Sequence, residues 1–331
     1  MKVGITELAA RAGVSEATVS RVINRRQGVA KKTRDAVERA MSELGYERST
    51  PGQLVAVVTE RVSNPFFADV AERIESALAP HGLKMVLCPA FPGGVQEREF
   101  VSALVDRGIA AVVFLSASNT VDGADVETYE LLRDRRVPYL GINGEFADGH
   151  PAPVFSTDDA LAAELAVDHL HRLGHRRIGM ASGPAGNHPA DRRVEGFLAA
   201  MERRGLADAE SWVFRQSYTV EGGQAAAAGL LKQGATAIVA ASDFMALGAI
   251  RGLRRHGLSV PDDVSVVGYD GTIITEFTDP PLTTVRQPAD RLALEVGRSV
   301  LALVAGRPVP TGELLFDPEL VIRSTTAPPR A

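Results

Sequence analysis

Cysteine is nearly absent from this chain of 331 residues, in which Cys88 is the only one. A single thiol excludes an intramolecular disulfide and a metal site built from several thiolates. The sequence also has no run of 18 apolar residues and no long apolar segment behind its first lysine. We therefore expect neither a transmembrane helix nor a secretory signal, and these absences predict a cytoplasmic protein without a membrane partner.

Signals for catalysis are missing as well. There is no Gly-x-Ser-x-Gly elbow, and the glycine-rich segments do not match a phosphate-binding loop. His169, His171 and His175 are spaced by two and four residues, so they do not share one helical face as metal ligands would. The sequence thus predicts no enzyme, no bound metal and no cofactor.

Charge is distributed unevenly along the chain. Residues 1–50 contain ten Lys/Arg and six Asp/Glu, whereas the remainder contains 26 and 35, and the whole chain has a net charge of −5. A basic N-terminal segment on an acidic body favours contact with a polyanion through that segment alone.

The N-terminal 46 residues have the pattern of three short helices. The first spans about 6–12 with Thr6 as its N-cap, Gly13 ends it, and Ser15 caps a second helix over 15–24. A third covers about 32–44, and the apolar residues of all three recur at helical spacing. Two helices joined by a glycine turn indicate a helix-turn-helix domain.

Apolar runs alternate with amphipathic helices from Leu54 onward. The strand-like runs are 54–58, 84–88, 109–115, 137–142, 176–181, 236–241 and 264–269. The helical segments between them are 66–82, 93–108, 159–174, 190–205, 220–234 and 243–257. Nearly continuous apolar strands are typical of parallel sheets covered on both faces, so the pattern predicts doubly wound α/β units.

Several motifs resemble the LacI/GalR family of bacterial transcription regulators over nearly the whole chain. They are ITELAARAGVSEATVSRVIN, VAKKTRDAVERAMSELGY, NPFF, GHRRI, SDFMALGAIR, VPDDVSVVGYD and PPLTTVRQP. The resemblance implies an all-α helix-turn-helix head at 1–46, a linker at 47–53, and a two-lobed body at 54–327 like a periplasmic sugar-binding protein. It implies an N-lobe of about 54–156 and 288–312, and a C-lobe of about 157–287 and 313–327.

Base reading in the head requires exposed side chains on the second helix. Arg21 is the best candidate, because a guanidinium matches the O6 and N7 atoms of guanine. By resemblance, the family's base-reading pair falls on Glu16 and Ala17, while other polar residues suit phosphates and register. The candidate DNA contacts are Thr6, Ser15, Glu16, Ala17, Thr18, Ser20, Arg21, Asn24, Thr33 and Arg34. Helix capping is the alternative role for Thr6 and Ser15, and a solvated surface residue is the alternative for Arg21.

A ligand of the body should bind outside the carboxyl ends of the strands. Carboxylates, a guanidinium and aromatic rings follow several strand-like runs, as hydroxyl-rich sugars require, and the same positions match the family's effector contacts. The candidates are Phe66, Phe67, Asp159, Arg193, Tyr218, Ser242, Asp243 and Asp270. The alternatives are core packing for the two phenylalanines and N-capping for the aspartates, Asp243 above all. Ser242 stands where some relatives carry an amide.

The linker departs from the family pattern. Family members usually carry a hinge helix there, whose leucine wedges into the minor groove and kinks the DNA at the dimer centre. This chain has only residues 47–53, interrupted by Pro51 and Gly52, which is too short for such a helix. We expect no leucine wedge.

Together these features predict a dimeric repressor that binds a double-stranded DNA operator and responds to a small-molecule effector, by resemblance a sugar. The alternatives are an intracellular sugar-binding sensor that acts through a protein partner, and an enzyme on the same scaffold. The missing catalytic constellation argues against the enzyme, and the missing signal peptide with the presence of the reading helix argues against a transport-type binder.

Overall fold

The computed structural model describes residues 4–23, 28–44, 52–90, 94–147, 149–206 and 208–330. The α-helices in these ranges are α1 Ile5–Ala12, α2 Glu16–Ile23, α3 Lys31–Glu43, α4 Pro65–Leu78, α5 Glu97–Val105, α6 Glu127–Asp134, α7 Asp159–Arg172, α8 His188–Arg203, α9 Val220–Lys232, α10 Asp243–Arg255 and α11 Ala289–Val304. The strands are β1 Leu54–Thr59, β2 Lys84–Pro89, β3 Ala111–Leu115, β4 Tyr139–Ile142, β5 Pro153–Thr157, β6 Ile178–Ser182, β7 Val213–Arg215, β8 Ala237–Ala240, β9 Ser265–Asp270, β10 Thr283–Arg286, β11 Gly312–Phe316 and β12 Glu319–Val321.

The head is a three-helix domain with its own core. Gly13 ends α1 in the left-handed conformation, with φ of 66°, which a residue with a Cβ adopts only with strain. The turn brings α2 against α1, and α3 packs across both. Their shared core consists of Leu8, Ala9, Val19, Val22, Ile23, Val37 and Ala40. Because the buried residues of α2 lie on one side, its polar side faces outward.

The first lobe is built on a six-stranded parallel sheet. Its strand order is β11-β5-β4-β3-β1-β2, and each neighbouring pair runs parallel. The strands β1 and β3 are almost wholly buried, because α4 and α11 cover one face and α5 and α6 cover the other. This burial on both faces explains why the strands are continuous in apolar residues.

The second lobe repeats the arrangement. Its strand order is β12-β10-β9-β8-β6-β7, in which β12 alone is antiparallel to its neighbour. Helices α9 and α10 pack together over one face, and α7 and α8 pack over the other. The carboxyl ends of the strands in both sheets carry the residues that line the space between the lobes.

The chain crosses between the lobes three times. It leaves β5 for α7 at residues 157–159 and leaves β10 for α11 at residues 286–289. It crosses again between β11, which pairs with β5, and β12, which pairs with β10. The predicted border between residues 312 and 313 is therefore wrong, because Glu313 to Phe316 form ladder bonds in the first lobe.

All seven predicted strand segments form strands, and the six predicted body helices are present. The structure adds α6 and α11, together with the short strands β5, β7, β10, β11 and β12. In the described ranges, no helix combines the length and the apolar character that crossing a bilayer would need.

Candidate DNA-binding face and interlobe ligand site

The outward side of α2 presents the predicted base-reading residues. Glu16, Ala17 and Arg21 are exposed, and Thr18 and Ser20 are partly exposed. Within the part of the chain that the structure describes, Arg21 is held by no ion pair, which leaves its guanidinium free to extend from the helix. The geometry therefore presents an arginine, a carboxylate and a methyl group on one short helix.

Two predicted contacts have structural roles in the head. Ser15 caps α2, because its Oγ accepts a hydrogen bond from the backbone N–H of Thr18 at 3.2 Å. Thr6 is not an N-cap as predicted, since Gly4 occupies that position and α1 begins at Ile5. Thr6 Oγ1 instead donates to Glu16 Oε1 at 2.8 Å and ties the start of α1 to the start of α2.

The remaining predicted contacts lie beside the two-helix unit. Thr33 and Arg34 are in the first turn of α3, partly exposed and exposed respectively. Asn24 and residues 47–51 of the predicted short linker lie outside the described residues.

A cleft with a cavity volume of about 310 Å³ lies between the two lobes. Residues after β1, β3 and β4 line it from the first lobe, and residues after β6 and β8 and at the end of β9 line it from the second. Five of the eight predicted effector contacts line this cleft: Phe67, Arg193, Tyr218, Ser242 and Asp270. The volume is at the lower end of the range of about 300–1,000 Å³ for small-molecule sites.

Arg193 is the buried cation of the cleft. Its Nη1 donates to Asp159 Oδ1 at 2.5 Å, and its Nη2 donates to Tyr218 Oη at 2.6 Å. The guanidinium also lies 4.3 Å from the ring centre of Tyr269. Burial alone would lower the pKa of Arg193, but the Asp159 carboxylate and the two phenols raise it well above its usual value.

The Nε of Arg193 is buried and has no acceptor among the described residues. A buried donor without a partner costs about 1–3 kcal/mol, so Arg193 is held in this position at some cost to stability.

Asp270 connects the cleft floor to both lobes. Its Oδ2 accepts from Asn64 Nδ2 of the first lobe at 3.0 Å, and its Oδ1 accepts from Gln287 Nε2 at 2.9 Å. Gln287 lies on one crossover, and its Oε1 accepts from Thr157 Oγ1 on another at 2.8 Å. Asp270 itself has φ of 116°, a strained conformation for a residue with a side chain.

The pKa of Asp270 is perturbed. Burial raises it to about 7, and the nearby carboxylate of Asp243 adds to the rise, whereas the hydrogen bonds from Asn64 and Gln287 oppose it. A carboxyl group poised near neutrality in a cleft is typical of a functional site.

The other three predicted effector contacts lie behind the cleft surface. Phe66 is 3% exposed in the core of the first lobe, its ring 5.3 Å from that of Phe67. Asp159 is buried beneath Arg193 and also accepts from Tyr269 Oη at 2.7 Å. Asp243 accepts from Thr284 Oγ1 at 2.6 Å and from the Thr272 N–H at 2.8 Å.

The caps fall one residue before the predicted aspartates. Ser242 caps α10 by accepting from the Met245 N–H at 3.2 Å, although it also lines the cleft. Asp158 caps α7 by accepting from the Leu161 N–H at 2.9 Å. Capping by Asp243 and Asp159 is therefore excluded, because each is already inside its helix.

The prediction did not include several polar residues that line the cleft. They include Asn64, Tyr269 and Gln287. Asn64 is the first residue of the motif NPFF, Tyr269 precedes Asp270 in VPDDVSVVGYD, and Gln287 lies in PPLTTVRQP. Glu60 and Arg61 follow β1, and Arg61 Nη1 reaches across the cleft to the Tyr218 carbonyl at 3.3 Å. Burial raises the pKa of Glu60, and Arg61 opposes that rise.

Two of the three histidines, His169 and His175, form hydrogen bonds with the C-terminal segment at residues 326–327. His175 contacts Thr236 Oγ1 through Nδ1 at 2.9 Å and the Ala327 carbonyl through Nε2 at 2.9 Å. His169 Nε2 contacts Thr326 Oγ1 at 2.9 Å.

Comparisons with known proteins agree with this architecture. Residues 4–49 match the model described as bacterial regulatory proteins of the lacI family, and residues 167–326 match a periplasmic binding protein-like domain. The HTH-type transcriptional regulator MalR of Streptomyces coelicolor is 45% identical, over 99% of this chain and 97% of its own.

Two solved structures are similar over almost the full length. The complex of the transcriptional regulator CelR with cellobiose has a TM-score of 0.76 and 30% identity, covering 98% of this chain and 99% of its own. The lac repressor dimer bound to operator and the anti-inducer ONPF has a TM-score of 0.73 and 28% identity, covering 99% and 100%. With its helix-turn-helix head, its two-lobed body and a full-length relative at 45% identity, the chain belongs to the lacI family of bacterial regulatory proteins.

Proposed function

We propose that this protein is a cytoplasmic repressor that binds a pseudo-palindromic DNA operator as a homodimer and is controlled by a sugar bound between its lobes. The observation that carries the proposal is that one chain combines an exposed polar side of α2 with an interlobe cleft lined by the buried Arg193 and Asp270. An intracellular sensor acting through a protein partner would not need the exposed arginine on α2.

The DNA contact is assigned to the outward side of α2. Arg21 reads guanine, Glu16 accepts from a cytosine amino group, and Ala17 contacts a thymine methyl group. The polar residues Thr6, Thr18, Ser20, Thr33 and Arg34, together with Asn24, contact phosphates and fix the register. Glu16 must leave Thr6 or share it when it meets a base, because Thr6 Oγ1 donates a hydrogen bond to Glu16 Oε1.

The chemistry of the cleft suits a polyhydroxylated ligand. Asp270 offers acceptors for hydroxyl donors, Arg193 offers a donor for a hydroxyl or ring oxygen, and Phe67 supplies an apolar face. The cellobiose bound by CelR supports a saccharide for this chain as well.

Ligand binding acts on the head through the angle between the lobes. Asp270 is bonded to Asn64 of the first lobe and, through Gln287, to the crossover residue Thr157. A ligand that takes over these hydrogen bonds changes the balance between lobe arrangements. Two heads on a two-fold axis require half-sites at fixed helical phase, so a small rotation is sufficient to disturb simultaneous contact.

The dimer contact is assigned to an apolar patch on the second lobe, formed by Ile273, Ile274 and Phe277. These side chains are 63%, 37% and 81% exposed. A cavity of about 450 Å³ lies directly beside the patch and is lined by residues 278–280 and by α10. The α10 residues that line it include Arg251, Arg254 and Arg255. An apolar centre with a charged rim has the composition of a stable interface. The lac repressor was solved as a dimer on its operator, which supports the same assembly here.

A thermal-shift screen of mono- and disaccharides and phosphosugars tests the ligand assignment. A sugar present at 100 times its dissociation constant stabilises the folded protein by about 2.7 kcal/mol. The wild type should melt at a higher temperature with one class of sugar, and an Arg193→Ala variant should not. If no sugar raises the melting temperature, or if both proteins respond equally, the cleft is not a sugar site.

Sugar affinity should depend on pH through Asp270. Its pKa is raised to about 7, so below that pH the carboxyl is protonated and sugar hydroxyls lose a charged acceptor. Affinity should therefore fall by up to about tenfold per pH unit as the pH is lowered from 7, and level off above it. Asp270→Asn should weaken binding by about 10- to 150-fold at pH 8, the effect of losing hydrogen bonds to a charged group. Calorimetric titration of the sugar from pH 5.5 to 8.5 measures both.

The Asp270→Asn variant also distinguishes the contribution of Asp270 to the pH dependence from that of Glu60, whose pKa is likewise raised by burial. A flat profile in Asp270→Asn assigns the pH dependence to Asp270. A wild-type profile without slope between pH 6 and 7 contradicts the role of this carboxylate.

The operator should be only slightly bent. The sequence between the head and β1 is too short for a wedging hinge helix, so the central base pairs should matter little for affinity. Circular-permutation gel shifts measure the bend, and substitution of the central step measures its contribution. A strong central kink, or strict dependence on the central step, would show that these residues do form a wedge.

A further inference from the structure

Arg192 on α8 contacts the first lobe through two residues that do not line the cleft. Arg192 Nη1 lies 2.5 Å from Glu313 Oε1 on β11, and its Nη2 lies 2.5 Å from Glu145 Oε1 after β4. Both carboxylates belong to the first lobe, whereas Arg192 belongs to the second. One guanidinium thus bridges the lobes through two carboxylates.

Further contacts join the same two regions. His188 Nε2 lies 2.6 Å from Asp122 Oδ1, and the Asp122 N–H donates to the Gly186 carbonyl at 2.8 Å. Asn187, the cap of α8, also donates from Nδ2 to the Thr120 carbonyl at 3.3 Å. The start of α8 and the residues just before it therefore contact the first lobe through backbone and side-chain hydrogen bonds as well as through the ion pairs of Arg192.

Arg192 is adjacent to Arg193, and the two side chains contact different parts of the molecule. Arg193 is directed to the cleft floor, toward Asp159 and Tyr218. Arg192 is directed to the carboxylates of the first lobe. Because both residues lie on the same turn of α8, a ligand that shifts the backbone at Arg193 also shifts the turn that carries Arg192.

The ion pair between Arg192 and Glu313 is partly shielded from solvent. The side chains of Arg192 and Glu313 are 26% and 18% exposed, so water and salt screen them less than a surface pair. Burial would lower the pKa of Arg192, but Glu313 and Glu145 raise it. Glu145 is 59% exposed and contributes less.

We propose that Arg192, held by Glu313 and Glu145, fixes the lobe angle described here and is a positioning residue for the ligand response. The ligand response rests on the proposed function, whereas the effect on the lobe angle does not. The bridge stabilises this lobe arrangement, and a ligand that favours another arrangement must overcome it.

The interlobe distance in the full-length, ligand-free protein tests this directly. Spin labels are attached at Glu99→Cys on α5 and Lys232→Cys on α9, which are exposed positions in opposite lobes. Cys88 is 1% exposed, and burial raises the pKa of its thiol to about 11, so it does not take up label. The wild type should show one dominant distance. Arg192→Glu should lower the ratio of that distance to displaced ones by about tenfold or more.

Two further variants show whether the effect is that of the bridge. Arg203→Glu changes the same residue type on the same helix, but Arg203 pairs at 2.8 Å with Glu164 of its own lobe, so the distance should stay as in the wild type. Combining Arg192→Glu with Glu313→Arg restores opposite charges and should restore the dominant distance, which a purely structural role of Arg192 would not predict. Arg192→Gln, with a shift of about threefold, replaces Arg192→Glu if the latter does not fold.

An Arg192→Glu distribution equal to the wild type overturns the proposal, and so does a charge-swapped variant as disturbed as Arg192→Glu. An equal disturbance in Arg203→Glu also overturns it, because the effect would then reflect charge in general. The measurement uses neither DNA nor sugar, so its failure is distinct from a failure of the sugar screen.

Discussion

Arg21→Ala should weaken operator binding by about 30-fold to 10⁴-fold. A bidentate contact between arginine and guanine contributes about 1–3 kcal/mol of discrimination, and a dimer makes the contact twice. The resulting loss of about 2–6 kcal/mol corresponds to that range of dissociation constants. The measurement is a gel shift or anisotropy titration at fixed salt, with an operator selected from a random-sequence duplex pool.

Arg39→Ala is the matched control for this prediction. Arg39 is an exposed arginine of α3 whose Nε donates to the Asp35 carbonyl at 3.3 Å, so its removal costs the head the same charge. A general electrostatic effect would weaken binding similarly in both variants. Operator binding by Arg21→Ala that equals the wild type would remove α2 from the recognition interface.

Phe277→Asp should convert the dimer to a monomer and reduce operator affinity by about 10²- to 10⁴-fold. The phenyl ring is 81% exposed in the single chain, and burying a carboxylate in its place at an apolar interface carries a large desolvation penalty. A monomer carries one head, so it loses the gain in effective concentration that links two half-site contacts. Analytical ultracentrifugation measures the assembly, and titration of the selected operator measures the affinity.

Because the Phe277 side chain is 81% exposed in the single chain, the variant should fold as the wild type does. Leu314→Asp provides the comparison, since Leu314 is 49% exposed but lies on the edge strand of the other lobe. It should remain dimeric and bind the operator normally. A dimeric Phe277→Asp protein would move the interface away from this patch.

The fold was largely predictable because its buried strands have a simple signature. β1, β3 and β9 are covered on both faces and are read directly as apolar runs. β7 has three half-buried residues, and β11 exposes Leu314 and Leu315, so neither shows a burial pattern that the sequence reveals. The helix α11 does have a signal, a stripe of Leu292, Val296 and Val300 at helical spacing.

For the interlobe cleft, the sequence predicted that residues at the ends of strands would line it, but not which contacts they make. Residues at the ends of buried strands, such as Asp270 at the end of β9, were identified because the carboxyl ends of parallel strands lie at one edge of the sheet. Which of two adjacent residues lines the cleft depends on helix geometry, and this is why Ser242 caps α10 while Asp243 lies behind it. The hydrogen bond from Asn64 to Asp270 joins residues 206 positions apart in different lobes, and no local pattern reports it.

The sequence likewise contains no signal that predicts the contacts of α8 with the first lobe. Arg192 and Arg193 are identical neighbours in the chain, and only the direction of the helix assigns one to the first lobe and the other to the cleft. The chain crossing after β11 was misplaced for a related reason, since Glu313 joins a strand whose partner lies in another part of the sequence.

The central claim is that ligand in the cleft controls the head, and thermodynamic reciprocity provides its most direct test. The dissociation constant of the sugar found in the thermal-shift screen is measured by calorimetry with and without saturating operator, and operator affinity is measured with and without sugar. The account predicts that both change by the same factor, about 5- to 150-fold, as coupled sites require. A sugar affinity that is identical with and without operator, in a protein that binds both, would contradict it.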